Sequence, residues 1–242
     1  MIGWMRRSAL LAIGLAALTA TASARAEEKG LSGLWLLTHG QFGANRDMPA
    51  LTPEAKAQQT ADRGAAPMNK QRCLPVGEPR MLVNELPFEI IESPERIAII
   101  GEQAELARTI YMNTDRHATD IQPAWNGNSY GKWVNGALVV DVAGFNDAVS
   151  HVPGAPKGST TTHIVETFKV VEDGKGLVIT MTFDDPKVLT KPYTVSYHYD
   201  RLPPGSQRWE YVCDVDDPQW NTALGFDPAA KPDSAKPGAT KP

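Results

Sequence analysis

From Thr161 to Phe183 the chain alternates in a way that constrains its fold more than any other feature. One row holds Thr162, Ile164, Glu166, Phe168 and Val170. The opposite row holds Thr161, His163, Val165, Thr167 and Lys169. Asp173-Gly174 interrupts the pattern before Leu177 to Phe183. A period of two sends successive side chains to opposite faces of a sheet, and an Asp-Gly step between two such runs marks a hairpin. The same grammar recurs elsewhere. Leu31 to Thr38, Phe88 to Glu92, Arg96 to Ile100, Thr109 to Met112, Ala137 to Val142, Tyr193 to Asp200 and Trp209 to Cys213 all read as short strands. Trp133-Val134 and Ala137 flank an Asn135-Gly136 hairpin turn.

About nine or ten short strands at regular spacing predict a mainly β fold, an antiparallel β-barrel or sandwich of lipocalin-like type. Strands do not alternate with helices, which disfavours a parallel α/β sheet. One short helix is predicted from Pro53 to about Arg63, with Thr52 as N-cap, proline at the first helical position and Glu54 in the first turn. The segment from Cys73 to Arg80, with Pro75, Gly77 and Pro79, reads as a rigid loop. Asn113 to Tyr130 and Phe145 to Gly158 read as long loops.

The first 26 residues have the grammar of an export signal. Arg6-Arg7 precede an apolar run from Ser8 to Leu18, and Ala24-Arg25-Ala26 forms a cleavage site before Glu27. The run falls short of the roughly 20 residues that span a bilayer. The expected organisation is a signal peptide (1–26), a single β-rich domain (27–225) and a disordered Pro/Ala/Lys tail (226–242), in a periplasmic or secreted protein. Of 24 basic residues, three lie in the signal, so 21 face 28 acids in the remainder. That balance opposes nucleic-acid binding, and no polybasic patch suggests a membrane partner. In an oxidising compartment Cys73 and Cys213, with no C-x-x-C spacing, read as a structural disulfide.

Glu166 is the one acid on its apolar strand face. A buried carboxylate either finds partners or has its pKa raised, so Glu166 reads as a general acid or base in a cavity, or as an ion-pair partner closing a barrel end. His163, three residues away, points to the other side of the same strand. Asp141 faces away from Leu138, Val140 and Val142. Tyr193, Val195, Tyr197 and Tyr199 share one strand face, either core or the lining of a pocket. Asp115-Arg116-His117 sits in the loop before Trp125, where binding residues cluster. Gly127-Asn128-Ser129-Tyr130-Gly131 matches G-x-S-x-G, but a strand follows it where a hydrolase needs a helix. The glycines then serve the turn, with Ser129 bonding the backbone. No P-loop, G-x-G-x-x-G or H-E-x-x-H occurs, so no cofactor and no metal is expected.

Several pieces occur together in order: Cys73 to Arg80, Arg108-Thr109-Ile110-Tyr111-Met112, Gly127 to Trp133, Leu138 to Asp141 with Gly144 to Asp147, His163 to Glu166, Asp184-Asp185-Pro186 with Thr190 to Thr194, and Glu210 to Cys213. Over about residues 70 to 215 the chain resembles a large family of exported bacterial proteins without an assigned activity. The resemblance implies an exported β-rich domain and a Cys73–Cys213 pairing. The chain departs from the family's Asp-Gly-Arg-x-His with Asn113 to His117, and from its Trp-Glu-Gly-Asp with Trp133 to Gly136. Two family acids are absent.

The expected function is binding of a small, mostly apolar organic molecule, with an option of cofactor-independent acid–base catalysis of lyase or isomerase type. Glu166 would be the acid or base, Tyr111 or His117 would orient or protonate the substrate, and Trp125 and Trp133 would form an apolar wall. Arg108, Ser129, Asp141 and His163 complete the candidate binding residues. The alternatives are a non-catalytic envelope binding or structural protein, and a serine hydrolase using Ser129 with His163 as base.

Overall fold

A computed structural model describes residues 30–39, 48–62, 74–102, 107–112, 117, 120, 122–156 and 158–209. The predicted signal segment, Cys73, Cys213, Asp115, Arg116, the predicted strand residues after Trp209 and the predicted tail lie outside the described residues. Nine strands close into one barrel: β1 (Gly33–His39), β2 (Phe88–Glu92), β3 (Arg96–Gly101), β4 (Arg108–Tyr111), β5 (Asn128–Val134), β6 (Ala137–Ala143), β7 (His163–Val171), β8 (Gly176–Asp184) and β9 (Tyr193–Arg201). Each pairs with its neighbour in sequence, and β1 pairs with β9.

The barrel departs from the antiparallel expectation at one place, where β4 and β5 run parallel. Parity demands such a pair. Direction reverses at every antiparallel contact, and a ring of nine strands joins up only if the number of reversals is even. A parallel pair needs a long crossover, which the segment between Tyr111 and Asn128 supplies. β5 also starts at Asn128, inside what the sequence reads as loop, because Ser129 and Tyr130 pair with Ile110 and Tyr111.

The predicted alternation holds around the wall. Ile164, Glu166 and Phe168 face inward with Leu138, Val140 and Val142 of β6 and Leu177, Ile179, Met181 and Phe183 of β8. Tyr193, Val195, Tyr197 and Tyr199 of β9 are core. The outer face is polar: Thr180 pairs with Ser196 at 2.8 Å and Thr182 with Thr194 at 2.9 Å, cross-strand hydroxyl contacts that stabilise a solvated sheet surface. Gly131 faces inward where a Cβ would lie 2.8 Å from Ile110 Cγ2 and 3.0 Å from Leu138 Cδ1, so a side chain there would force its core neighbours to shift.

The two ends of the barrel differ. Three tight hairpins (β2–β3, β5–β6, β7–β8) mark one end, and Trp35 and Arg201 close it. The Arg201 guanidinium lies 4.1 Å over the Trp35 ring and donates to the carbonyls of Gly30, Ser32 and Gly174. Gly33, two residues before Trp35, has φ +147°, a conformation that favours glycine, and a Cβ there would also press on that guanidinium. The other end carries the long connections and the helix α1 (Pro53–Ala61). Thr52 Oγ1 caps α1 by accepting from the Ala55 N–H at 3.2 Å.

Candidate functional site

At the loop end, three strands and one loop bring charged groups into the apolar interior. Arg108 opens β4, Ser129 is the second residue of β5, and Glu166 is the fourth of β7. All three face inward and are buried. Arg108 donates from Nη1 to Glu166 Oε1 at 3.1 Å, from Nη2 to Glu166 Oε2, and from Nε to Ser129 Oγ at 3.0 Å. Ser129 thus bonds a guanidinium and not the backbone. His163 lies on the outer face of β7, so the barrel wall separates it from Ser129.

A fourth member, Glu78, is absent from the sequence-based candidates. It is fully buried, and its Oε2 lies 3.0 Å from Arg108 Nη1. That contact is off the hydrogen-bond direction, so neither Glu78 oxygen has an aligned partner among the described residues. The loop is built to hold it there. Gly77 has φ +67°, and a Cβ on it would meet the Trp125 carbonyl at 2.6 Å. The Glu78 N–H donates to that carbonyl at 3.3 Å. Met81 and Leu82, just beyond, anchor the turn in the core. On the far side the buried His151 places Nδ1 2.7 Å from the Glu78 carbonyl and Nε2 2.9 Å from the Asn146 carbonyl. Burial holds the His151 imidazole below its usual pKa despite these two contacts. The one available signal for Glu78 was an acid clamped between Gly77 and Pro79 in a segment too rigid to wander.

One guanidinium cannot neutralise two buried carboxylates. Burial pushes the Glu78 carboxyl well above its ordinary range; Arg108 opposes this, and the neighbouring Glu166 adds to it. Arg108 itself is desolvated, yet the two acids hold its pKa above the usual value. Of the two acids, Glu78 is the one that burial drives toward its protonated form. The Tyr199 hydroxyl, also buried and without a hydrogen-bond partner among the described residues, is pushed up by burial and then by Glu78. A group with a raised folded-state pKa favours the fold below its unfolded value and loses that contribution as pH rises toward the folded value. We expect the unfolding free energy of the wild type to fall, relative to Glu78→Gln, by up to about 1.4 kcal/mol per pH unit above the ordinary carboxyl range. Urea titrations at several pH values measure this, and parallel lines for the two proteins would exclude a retained proton.

The remaining candidates gather outside. On the outer wall His117 lies over Tyr130 (ring centroids 4.6 Å) and beside Asp141. Asp141 Oδ1 is 2.5 Å from His117 Nε2 and 3.1 Å from His163 Nε2. Burial alone would raise the Asp141 carboxyl, but hydrogen bonds from His117 and then His163 hold it below its ordinary value. Tyr111 stacks at 5.8 Å on Tyr130 under Arg96. Among the described residues no group of three His, Cys, Asp or Glu side chains is arranged to hold a metal ion.

The two tryptophans do not meet. Trp125 holds the Gly77–Glu78 turn through its carbonyl at the loop end, whereas Trp133 is 51 % exposed beside the β5–β6 hairpin at the other. The sequence candidates thus split into an interior set (Arg108, Ser129, Glu166) and an outer set (Tyr111, His117, Asp141, His163).

No protein-family model matches the chain, and no curated protein matches it.

A pocket of about 220 Å³ opens at the loop end. Pro79 and Val83 of the Glu78 loop, Val152 and Ala155 of the β6–β7 connection, and Tyr197 of β9 line it. It adjoins the turn that carries Glu78, while the Glu78 carboxyl itself stays fully buried.

Proposed function

We propose that this chain is an exported, periplasmic or secreted barrel that binds a small, mostly apolar organic molecule at its loop end. The pocket against Tyr197 carries this reading. It is concave, apolar on several sides and set at the mouth of a closed barrel, where such folds hold guests. Its volume exceeds the roughly 150 Å³ that accommodates benzene in an engineered cavity. Export is supported by Arg6-Arg7, the apolar run after them and the Ala24-Arg25-Ala26 site. The triad of Glu78, Arg108 and Glu166 acts as the internal brace that keeps the loop end in shape.

The test uses benzyl alcohol as a neutral probe. Amide shifts in the 79–83 and 150–155 segments should move on titration. Ala155→Trp, which fills the pocket from a half-buried position, should abolish them while leaving the unfolding midpoint within a few degrees. Shifts that survive Ala155→Trp, or no shifts in the wild type, reject the pocket as a binding site.

A second reading, acid–base catalysis without a cofactor, is favoured by one observation: the buried Glu78, whose carboxyl burial pushes well above its ordinary range, directly precedes the pocket-lining Pro79. Glu78 then serves as the acid, and Glu166, tied to Arg108, orients the guanidinium that would stabilise developing negative charge.

A further inference from the structure

We infer that the loop-end pocket selects a small organic anion, a monocyclic carboxylate of about benzoate size, with its charge on Arg80 and its ring against Tyr197. This rests on the reading of that pocket as a ligand site and names the class of ligand it takes.

The argument starts from which polar groups in the pocket are already satisfied. The Ser150 hydroxyl lies 2.9 Å from the Val152 carbonyl and 3.1 Å from the Ala155 carbonyl, so it is occupied as a donor. The Gly154 carbonyl accepts from Gln59 Nε2 of α1 at 2.7 Å. The connection that forms one wall has therefore turned its hydrogen-bonding groups onto itself and the helix. Arg80 differs. It is the one charged residue lining the pocket among the described residues, it is exposed at the rim, and its guanidinium makes no ion pair or hydrogen bond among them. Its backbone is fixed: the Arg80 carbonyl accepts from Asn84 Nδ2 at 3.1 Å, within the turn that begins at Gly77. A cavity whose neutral polar groups are spent and whose unmatched group is a planar cation is complementary to a carboxylate, which a guanidinium holds through two parallel bonds.

Size and lining set the rest of the ligand. About 220 Å³ holds one six-membered ring and a carboxyl group, but not a fused ring system or a long acyl chain. Val83 offers a half-buried branched aliphatic group to a flat apolar body, and the edges of the buried Tyr197 and Val152 close the floor beneath it. The chain as a whole is acidic, with a net charge of −4, so long-range steering does not draw an anion in. Selection must come from Arg80 at contact distance, and it should weaken as salt screens the rim.

The experiment titrates the full-length exported chain with benzoate, benzyl alcohol and benzyltrimethylammonium, followed by calorimetry and amide shifts. Benzoate should bind roughly tenfold or more tighter than benzyl alcohol, the worth of one charge-assisted hydrogen bond, and the cation more weakly than either. Arg80→Gln should bring benzoate down to the level of benzyl alcohol and leave benzyl alcohol within about twofold. Added salt should weaken benzoate alone. If benzyl alcohol binds in the pocket but benzoate binds no tighter, or if Arg80→Gln leaves the benzoate preference intact, the anion assignment is wrong and the pocket reading survives. If none of the three probes perturbs the 79–83 and 150–155 segments, both fall.

Discussion

Replacing Arg108 with methionine should cost about 3–5 kcal/mol of stability, because it strands two buried carboxyl groups with no cation between them. For a domain of this size that is a fall in melting temperature of roughly 6–20 °C. The basis is the burial of Arg108, Glu78 and Glu166, none more than 1 % exposed, with every guanidinium nitrogen engaged by Glu166, Glu78 or Ser129. The triad also predicts an order. Glu166→Gln should cost less than Arg108→Met, since Glu78 can give up its proton and become the counter-ion of Arg108. Glu78→Gln should cost least at neutral pH, because glutamine mimics the protonated acid in size and charge. Replacing all three by leucine or methionine removes both the charges and their desolvation, and should recover most of what Arg108→Met loses. Denaturant midpoints for these variants check the order. Equal losses for the three single variants would mean that the charges act independently and no proton is shared.

The second large effect belongs to the opposite end of the barrel. Trp35→Ala should lose about 3–5 kcal/mol from the emptied volume alone. A further loss of about 1 kcal/mol follows because Arg201 no longer has a ring beneath its guanidinium. Trp35 is fully buried, and its indole N–H donates to the Leu31 carbonyl at 2.8 Å, so the substitution also strands an acceptor. Since domains hold only about 5–15 kcal/mol in total, this change removes roughly a quarter or more of the stability. Trp35→Phe keeps an aromatic face for Arg201 and should fall between the two. A Trp35→Ala protein with a wild-type urea midpoint would show that this end is not sealed by the Trp35–Arg201 contact.

Much of this was legible in the residue order. Alternation in β6, β7 and β9 assigned Leu138, Glu166 and Tyr197 to one face and Asp141 and His163 to the other, and the barrel keeps that assignment. The Asn135-Gly136 hairpin and the Thr52 cap were local matters of backbone conformation, and both stand where the sequence puts them. The parallel β4–β5 pair was not legible. It follows from the strand count and from ring closure, and no window of residues contains either. The residue order presents Ser129 as a loop residue bonding the backbone, because nothing nearby in sequence announces that Arg108 lies in the adjacent strand. Glu78 escaped notice because it sits on no periodic element, and its partner Glu166 is far along the chain.

The sequence by itself decided which side chains turn inward, since each strand's pleat and apolar row are settled by neighbours one and two residues away. The tertiary structure alone decided that an arginine, a serine and two acids from four distant segments meet in one buried place, and that two histidines share an aspartate on the other side of the wall. Such meetings depend on register and closure across the whole ring, and those are set by loop lengths and strand number acting together.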